Sequence, residues 1–245
     1  MSCNVHHCIV IPCYNEEKKF LFQEYHDFLT SCDDVQLCFV NDGSTDGTLG
    51  VLENIREKFP EKIIVLNMKK NLGKAGAVRQ GMLHCCKNID FTYISFLDAD
   101  LAVSLQEAHS LTQYFDENIV FCFGSRILKV GSVIERKRSR FITGRVIATF
   151  ISQILSLKVY DTQCGCKLFT KELAETVFSK EFLSKWLFDV EIFFRIIDLY
   201  GKEVALTKML EIPLKRWVDP GDSKVKMTYF FKLWHDLYRI KNAYR

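Results

Sequence analysis

The sequence predicts an α/β fold, a doubly wound and mostly parallel sheet flanked by helices. Three observations lead there. Short β-branched and aromatic runs recur at residues 7–11, 35–40, 62–66, 91–97 and 119–123, the length and composition of strands buried in a sheet. Between them, residues 17–29, 45–58, 74–86 and 105–115 place apolar side chains at three-and-four spacing, the period of a helix with one buried stripe. The two patterns alternate, and parallel strands joined by helical crossovers are the architecture that satisfies such alternation.

After about residue 125 the alternation ends. A basic segment, 126–145, leads into a helical pattern ending near Leu157. Then come Asp161-Thr-Gln-Cys-Gly-Cys-Lys-Leu-Phe169, a helix over 186–200, a strand over 203–213, a turn at Asp219-Pro-Gly-Asp222 and an aromatic, basic helix from Lys224 to the end. A single domain, 1–245, is expected, with residues 1–125 as one half and 126–245 as another that closes with an amphipathic helix.

Composition excludes several classes. The 245 residues are 48% hydrophobic and 26% charged, with 12 Gly, 4 Pro and no low-complexity tract, so disordered and fibrous chains are out. Lys and Arg exceed Asp and Glu by 33 to 30, a net charge too small and too dispersed for duplex nucleic acid. The ten cysteines are spread along a chain long enough to fold without disulfides, and Cys8, Cys38 and Cys122 sit inside apolar strands, where cysteine acts as a small hydrophobe. Neither Cys85-Cys86 nor Cys164-Gly-Cys166 has the spacing of a structural zinc site. No signal peptide or membrane-spanning segment is predicted, because the longest apolar stretch, 141–157, is interrupted by polar residues and short of ~20. The expected location is the cytoplasm, with peripheral contact at the cytosolic face of a membrane as a variant.

In a doubly wound sheet the ligand lies beyond the carboxyl ends of the strands. Here those positions are polar: Pro12-Cys-Tyr-Asn-Glu-Glu17, Asn41-Asp-Gly-Ser-Thr-Asp46, Lys70-Asn-Leu-Gly-Lys74, Asp98-Ala-Asp100 and Gly124-Ser-Arg126. Asp98 and Asp100 end a central strand, where two carboxylates reach a hard divalent ion if the strand turns there; an ordinary strand exit with an N-cap is the alternative. Asp42 suits ribose hydroxyls or a base N–H, Tyr14 a base and Glu16 a ribose, each against the plainer reading of a turn or helix start. Asn71-Leu-Gly-Lys74 lacks the GxxxxGK[ST] pattern of a P-loop.

Taken together and in order, Pro12-Cys-Tyr-Asn-Glu16, Asn41-Asp-Gly-Ser-Thr-Asp46, Asn71-Leu-Gly-Lys74 and Asp98-Ala-Asp100 make the chain resemble the family 2 inverting glycosyltransferases. Gly124-Ser-Arg126, Asp161-Thr-Gln-Cys-Gly165, Lys167-Leu-Phe169, Trp186-Leu-Phe-Asp-Val-Glu191 and Gly221-Asp-Ser-Lys224 are similar to the polyprenyl-phosphate sugar synthases, the dolichyl-phosphate glucosyltransferase group in particular. The resemblance implies a GT-A type fold whose first half binds a nucleoside diphosphate sugar. Pro12, Tyr14, Glu16, Asp42, Lys74 and Asp98 would hold the donor, and Arg216 and Lys224 its pyrophosphate. Asp98 and Asp100 would bind Mg²⁺ or Mn²⁺. Arg126, Arg138 and Gln163 would take the acceptor, most simply a dolichyl or polyprenyl phosphate, with a membrane surface or membrane subunit as partner. The family's DxDxQ pattern reads Asp98-Ala-Asp-Leu-Ala102 here, so its glutamine is absent.

A phosphate monoester acceptor is already ionised and needs no general base, whereas a hydroxyl acceptor does. Asp100, Asp189 and Glu191 are therefore the expected catalytic carboxylates, the last two as bases or as scaffold. Transfer of a hexose, glucose from UDP-glucose first, to a polyprenyl phosphate is the leading expectation. Transfer to a saccharide or protein hydroxyl, and a non-catalytic nucleotide-sugar-binding subunit, are the alternatives.

Overall fold

The computed structural model describes residues 5–135, 138–218 and 228–244. Its first half follows the predicted alternation. Strand β1 (Val5–Cys13), helix α1 (Phe22–Ser31), β2 (Val35–Asn41), α2 (Thr48–Lys58), β3 (Ile63–Asn67), α3 (Gly73–Asn88) and β4 (Phe91–Leu97) come in that order. Helix α4 (Leu105–Ser110) passes into one 3-10 turn and then β5 (Phe121–Ser125). The second half holds β6 (Val133–Glu135), α5 (Arg138–Leu155), β7 (Cys166–Thr170), α6 (Lys171–Phe178) and α7 (Phe188–Tyr200). It ends in α8 (Lys202–Lys208), β8 (Met209–Pro213), β9 (Arg216–Val218) and α9 (Thr228–Ala243).

Seven strands form one sheet in the order β3-β2-β1-β4-β7-β5-β8, and β6 pairs with β9 in a separate two-stranded sheet. Within the large sheet only β7 runs antiparallel to its neighbours, β4 and β5. Alternation along the buried strands divides the core between the two faces. Cys8 and Val10 pack with α3, α6 and α7 on one side, and Ile9 and Ile11 with α1, α2 and α4 on the other. That is the two-sided burial that makes such strands read as continuous apolar runs.

Three expectations are corrected. The predicted strand over 203–213 is helix α8 followed by strand β8, because Val204 to Leu206 are apolar at a length that fits either period. Helix α1 starts at Phe22 rather than at residue 17, since the preceding acidic residues are used by loops. Strand β7 was not predicted, and it is the element that carries the second half of the chain back into the sheet. The described cysteines, nine of them, are free, and no described helix is long and apolar enough to cross a membrane.

Candidate active site

The strand order reverses at β1, whose neighbours β2 and β4 lead away in opposite directions. Beyond the carboxyl ends of these three strands lies a cavity of about 410 Å³ lined by Pro12, Cys13, Tyr14, Glu16, Asp42, Asn71, Gly73, Lys74, Asp98, Ala99 and Asp100. Four of the five loops singled out in the sequence thus meet at the place a doubly wound sheet reserves for its ligand.

The loops are sewn to one another by their own polar side chains. Asn15 takes φ 55°, and its Oδ1 accepts from Thr45 N at 2.9 Å while its own N–H donates to Ser44 Oγ at 3.0 Å. Glu16 N donates to Thr48 Oγ1 at 2.8 Å, and Glu17 accepts from Gly47 N at 3.1 Å. Asp42 Oδ1 accepts from Leu72 N at 2.7 Å, and Asn71 Nδ2 donates to Asp42 O at 3.1 Å. A Cβ on Gly43 (φ +65°) would lie 2.7 Å from Asn71 N, so only glycine lets the two loops close. Burial pushes the Asp42 carboxyl up, opposed by the N–H groups of Leu72 and Gly73 and by the Lys185 charge. Burial likewise raises Glu16, with Lys19 working against it and Asp100 and Asp46 adding to it. Tyr14 is exposed at the rim, its ring free to lie against a planar base.

Asp98 follows β4 directly. Its Oδ1 is buried, makes no hydrogen bond and is ion-paired with the Lys74 ammonium. Register places Leu97 opposite Cys166, so the residue beside Asp98 across the ladder is Gly165. A Cβ there would sit 2.6 Å from the Asp98 carboxyl carbon, which explains the glycine in Thr162-Gln-Cys-Gly165. Asp100 accepts from Ala102 N at 3.0 Å, after which Leu101 turns through φ 49°. Among the described residues no group of three or more His, Cys, Asp or Glu is placed to hold a metal ion. The chain supplies two carboxylates, one with a buried oxygen whose partner is the Lys74 ammonium, and the pair would suit a hard ion whose remaining ligands were water and a diphosphate. Lys74 stands in the first turn of α3, whose partial positive N-terminus faces the same space. Burial alone would lower the Lys74 pKa, but Asp98, Asp189 and Asp100 outweigh it and hold the ammonium charged.

Beneath this layer is a second pair. Lys167 is fully buried, donates to Asp189 Oδ1 and to Cys164 O, each at 2.6 Å, and lies 5.5 Å from the centre of the Phe96 ring. Sequence reasoning singled out Asp189 but not its partner, because a lysine inside an apolar strand gives no signal of which carboxylate it meets 22 residues on.

Glu191, two residues further along α7 and so on another face of the helix, is placed elsewhere. Its Oε2 accepts from Leu183 N at 2.8 Å, and its Oε1 accepts from Arg195 Nη2 at 2.7 Å and from the Tyr244 hydroxyl at 2.9 Å. None of these partners lines the cavity. Arg195 also donates to the carbonyls of Val177, Lys180 and Glu181. The structure gives Glu191 the geometry of a buried hub between α7 and the chain just past α9, which favours the scaffold alternative for this carboxylate.

On the acceptor side, Arg126 forms a fork with Asp161, Nε to Oδ2 at 2.6 Å and Nη2 to Oδ1 at 2.8 Å, and stacks 5.3 Å from Trp217. Burial opposes the Asp161 charge, but Arg126 overrides it and brings the carboxyl down to about 2. Glu211 holds the same loop through the N–H groups of Tyr160 and Asp161. Gln163 is half-buried beside it, its N–H donating to Asp161 Oδ1 at 3.2 Å. Arg216 is exposed, its backbone N–H bound to Glu107. Arg138 begins α5, and the Arg138 side chain and the whole of Lys224 lie outside the described residues. Lys185 was missed by the sequence reading; its side chain passes over Gly73 at the cavity edge.

A carboxylate-and-lysine cleft at the switch point of a doubly wound sheet is the site, and its family shows the class, a glycosyltransferase. Residues 8–178 match the family model described as glycosyl transferase family 2, and the chain belongs to that family. It is 32% identical to a dolichyl-phosphate beta-glucosyltransferase of Trichomonas vaginalis, over 98% of this chain and 72% of the relative. It is 31% identical to the dolichyl-phosphate beta-glucosyltransferase of Saccharomyces cerevisiae, over 96% and 74%. In fold it resembles glucosyl-3-phosphoglycerate synthase from Mycobacterium tuberculosis, solved with Mn²⁺, UDP and phosphoglyceric acid. The TM-score is 0.65 at 14% identity, covering 98% of this chain and 78% of that one.

Proposed function

We propose that this enzyme transfers glucose, with inversion, from UDP-glucose to dolichyl or a related polyprenyl phosphate at the cytosolic face of a membrane, using Mg²⁺ or Mn²⁺. The observation that carries the reading is the cavity in which Tyr14, Glu16 and Asp42 stand on one side and Lys74, Asp98 and Asp100 on the other. The relatives' names support the sugar and the lipid phosphate.

Residues 1–125 serve the donor and 126–245 the acceptor, apart from Arg216 and Lys224, which belong to the donor diphosphate. Tyr14, Glu16 and Asp42 hold the uridine, with Pro12 fixing the backbone at the end of β1. Asp98 and Asp100 hold the metal, which when bound neutralises charge on the departing diphosphate. Lys74 adds a cation at the same place, and charge that develops on the leaving group is met by groups already in position. Arg216 and Lys224 are assigned to the diphosphate charge, Lys224 lying outside the described residues. An ionised acceptor phosphate attacks the anomeric carbon without a general base. Arg126, Arg138 and Gln163 belong to the acceptor half, Arg126 having first been aligned by Asp161.

A lipid acceptor is also favoured by one surface. On α5, Ile142, Val146 and Phe150 are exposed, and on α9 so are Trp234 and Tyr238, with Phe150 and Trp234 in edge contact at 5.2 Å. Helix α5 carries three arginines and no acidic residue, and the one acid of α9, Asp236, is buried against the Ser184 hydroxyl at 2.7 Å. Aromatic and apolar side chains on helices rich in Lys and Arg suit an anionic lipid surface.

The test is release of UDP by the purified chain with UDP-glucose and Mn²⁺, with and without a short polyprenyl phosphate. Lipid-dependent release abolished by chelation is expected. Release driven by a sugar hydroxyl instead, or none at all, overturns the reading.

A further inference from the structure

Four charged side chains alternate in sign through the site: Lys167, Asp189, Lys74 and Asp98. The outer lysine of this row has two anions to choose between. Its ammonium is paired with Asp98 Oδ1, which is buried and otherwise makes no hydrogen bond. It also lies 6.0 Å from the centre of the Phe188 ring, and the carboxylate of the next residue, Asp189, acts on it electrostatically.

Resting on the metal-dependent reading above, we propose that Lys74 is a tethered counter-cation of the metal site, paired with Asp98 until a divalent ion arrives and then turned toward Asp189 and the donor diphosphate. An ammonium and a divalent ion sharing one carboxylate oxygen repel each other strongly in a partly buried cleft. Lys74 is the partner able to move. Its backbone is fixed in the first turn of α3, but a four-carbon stem carries the charge. Asp189 is the partner that stays, because Lys167, fully buried and anchored on Cys164 O, grips its Oδ1. Lys74 lines the cavity assigned above to the donor, so on that reading the displaced ammonium gains a second anion only when nucleotide is present. Metal and nucleoside diphosphate therefore promote each other's binding, a reciprocal coupling whose size the lysine sets.

The experiment is a titration of Mn²⁺ into the full chain, followed by the electron paramagnetic resonance signal of the free ion, with and without UDP and with no acceptor. For the wild type, UDP is expected to tighten Mn²⁺ binding by about tenfold or more. Lys74→Met is expected to bind Mn²⁺ alone about tenfold more tightly than the wild type and to gain little from UDP. Lys74→Arg keeps the charge and should behave as the wild type does. Asp189→Asn removes the destination and should weaken Mn²⁺ binding in the absence of UDP. Lys74 is half-buried rather than enclosed, so Lys74→Met is expected to fold, which circular dichroism checks; Lys74→Gln serves as a second neutral variant. If both neutral variants bind Mn²⁺ no more tightly than the wild type, the inference is overturned while the function stands. If no form binds Mn²⁺ even with UDP, the metal-dependent reading falls with it.

Discussion

Glu191→Gln separates a catalytic carboxylate from a structural one. The substitution keeps the shape and removes the charge from a side chain that is wholly buried. Arg195, whose side chain is 7% exposed, would lose its ionic partner but keep the carbonyls of Val177, Lys180 and Glu181. Removing one member of a buried pair costs about 3–5 kcal/mol, and the three remaining acceptors bring the expectation to the lower end, about 3 kcal/mol. For a chain of this size each kcal/mol is worth roughly 2–4 °C, so the melting temperature should fall by about 6–12 °C. Glutamine keeps one acceptor oxygen for donors that used two, so the Leu183 N–H or the Arg195 and Tyr244 group loses its acceptor, and the last turn of α9 should exchange amide hydrogens faster. The assay pairs thermal unfolding with steady-state turnover measured well below the transition, where kcat should stay within about threefold of the wild type. A variant with an unchanged melting temperature and a kcat reduced about a thousandfold would refute the reasoning and make Glu191 a base.

Asp100→Asn, at an exposed position, should lower kcat by about a thousandfold or more with little change in melting temperature, read by UDP release and calorimetry. Gly165→Ala puts a methyl group against the Asp98 carboxylate and should reduce kcat/KM by about a hundredfold, most visibly at low Mn²⁺. Asp161 has its carboxyl depressed to about 2 by Arg126, so its contribution is present above about pH 4 and lost as pH falls toward 2. That contribution is about 2 kcal/mol; urea midpoints should drop between pH 5 and pH 3 in the wild type and less steeply in Asp161→Asn. His7 is buried, bonded to Ser95 Oγ at 2.8 Å and 3.3 Å from His109, and burial pushes both imidazoles down. The unfolded chain then binds more protons below about pH 6.5, so the melting temperature should decline from pH 7 to pH 5.5, and less so in His109→Gln.

What the sequence made legible followed from local physics. Strands buried on two faces must be apolar throughout, and β4 spans the predicted residues 91–97 because Phe91 to Leu97 has no competing period. The cleft loops were legible because a doubly wound sheet leaves its strand ends free of packing duties, so polar residues there need another reason to exist. The antiparallel β7 was not legible. Cys166 to Thr170 is five residues long, and nothing local distinguishes a strand that enters between β4 and β5 from one added at an edge.

The residues whose roles the sequence left open share one cause. Asp189 and Glu191 stand two apart on one helix, and sequence alone makes them equivalent acids in an apolar context. A helix turns about 200° over two residues, so the pair cannot serve one site. One is drawn to Lys167 and the cleft, the other to Arg195 and the core. Their difference lies in partners supplied by β7 for one and by Tyr244, just past α9, for the other, contacts that exist only once the second half of the chain has folded back. The same holds for the cleft's charge. Lys74 and Asp98 are 24 positions apart, on separate loops recognisable each by itself, yet the property on which the proposed response to a metal turns is their pairing. Loops disclose which groups are available; the fold alone decides which of them must give way when a ligand enters.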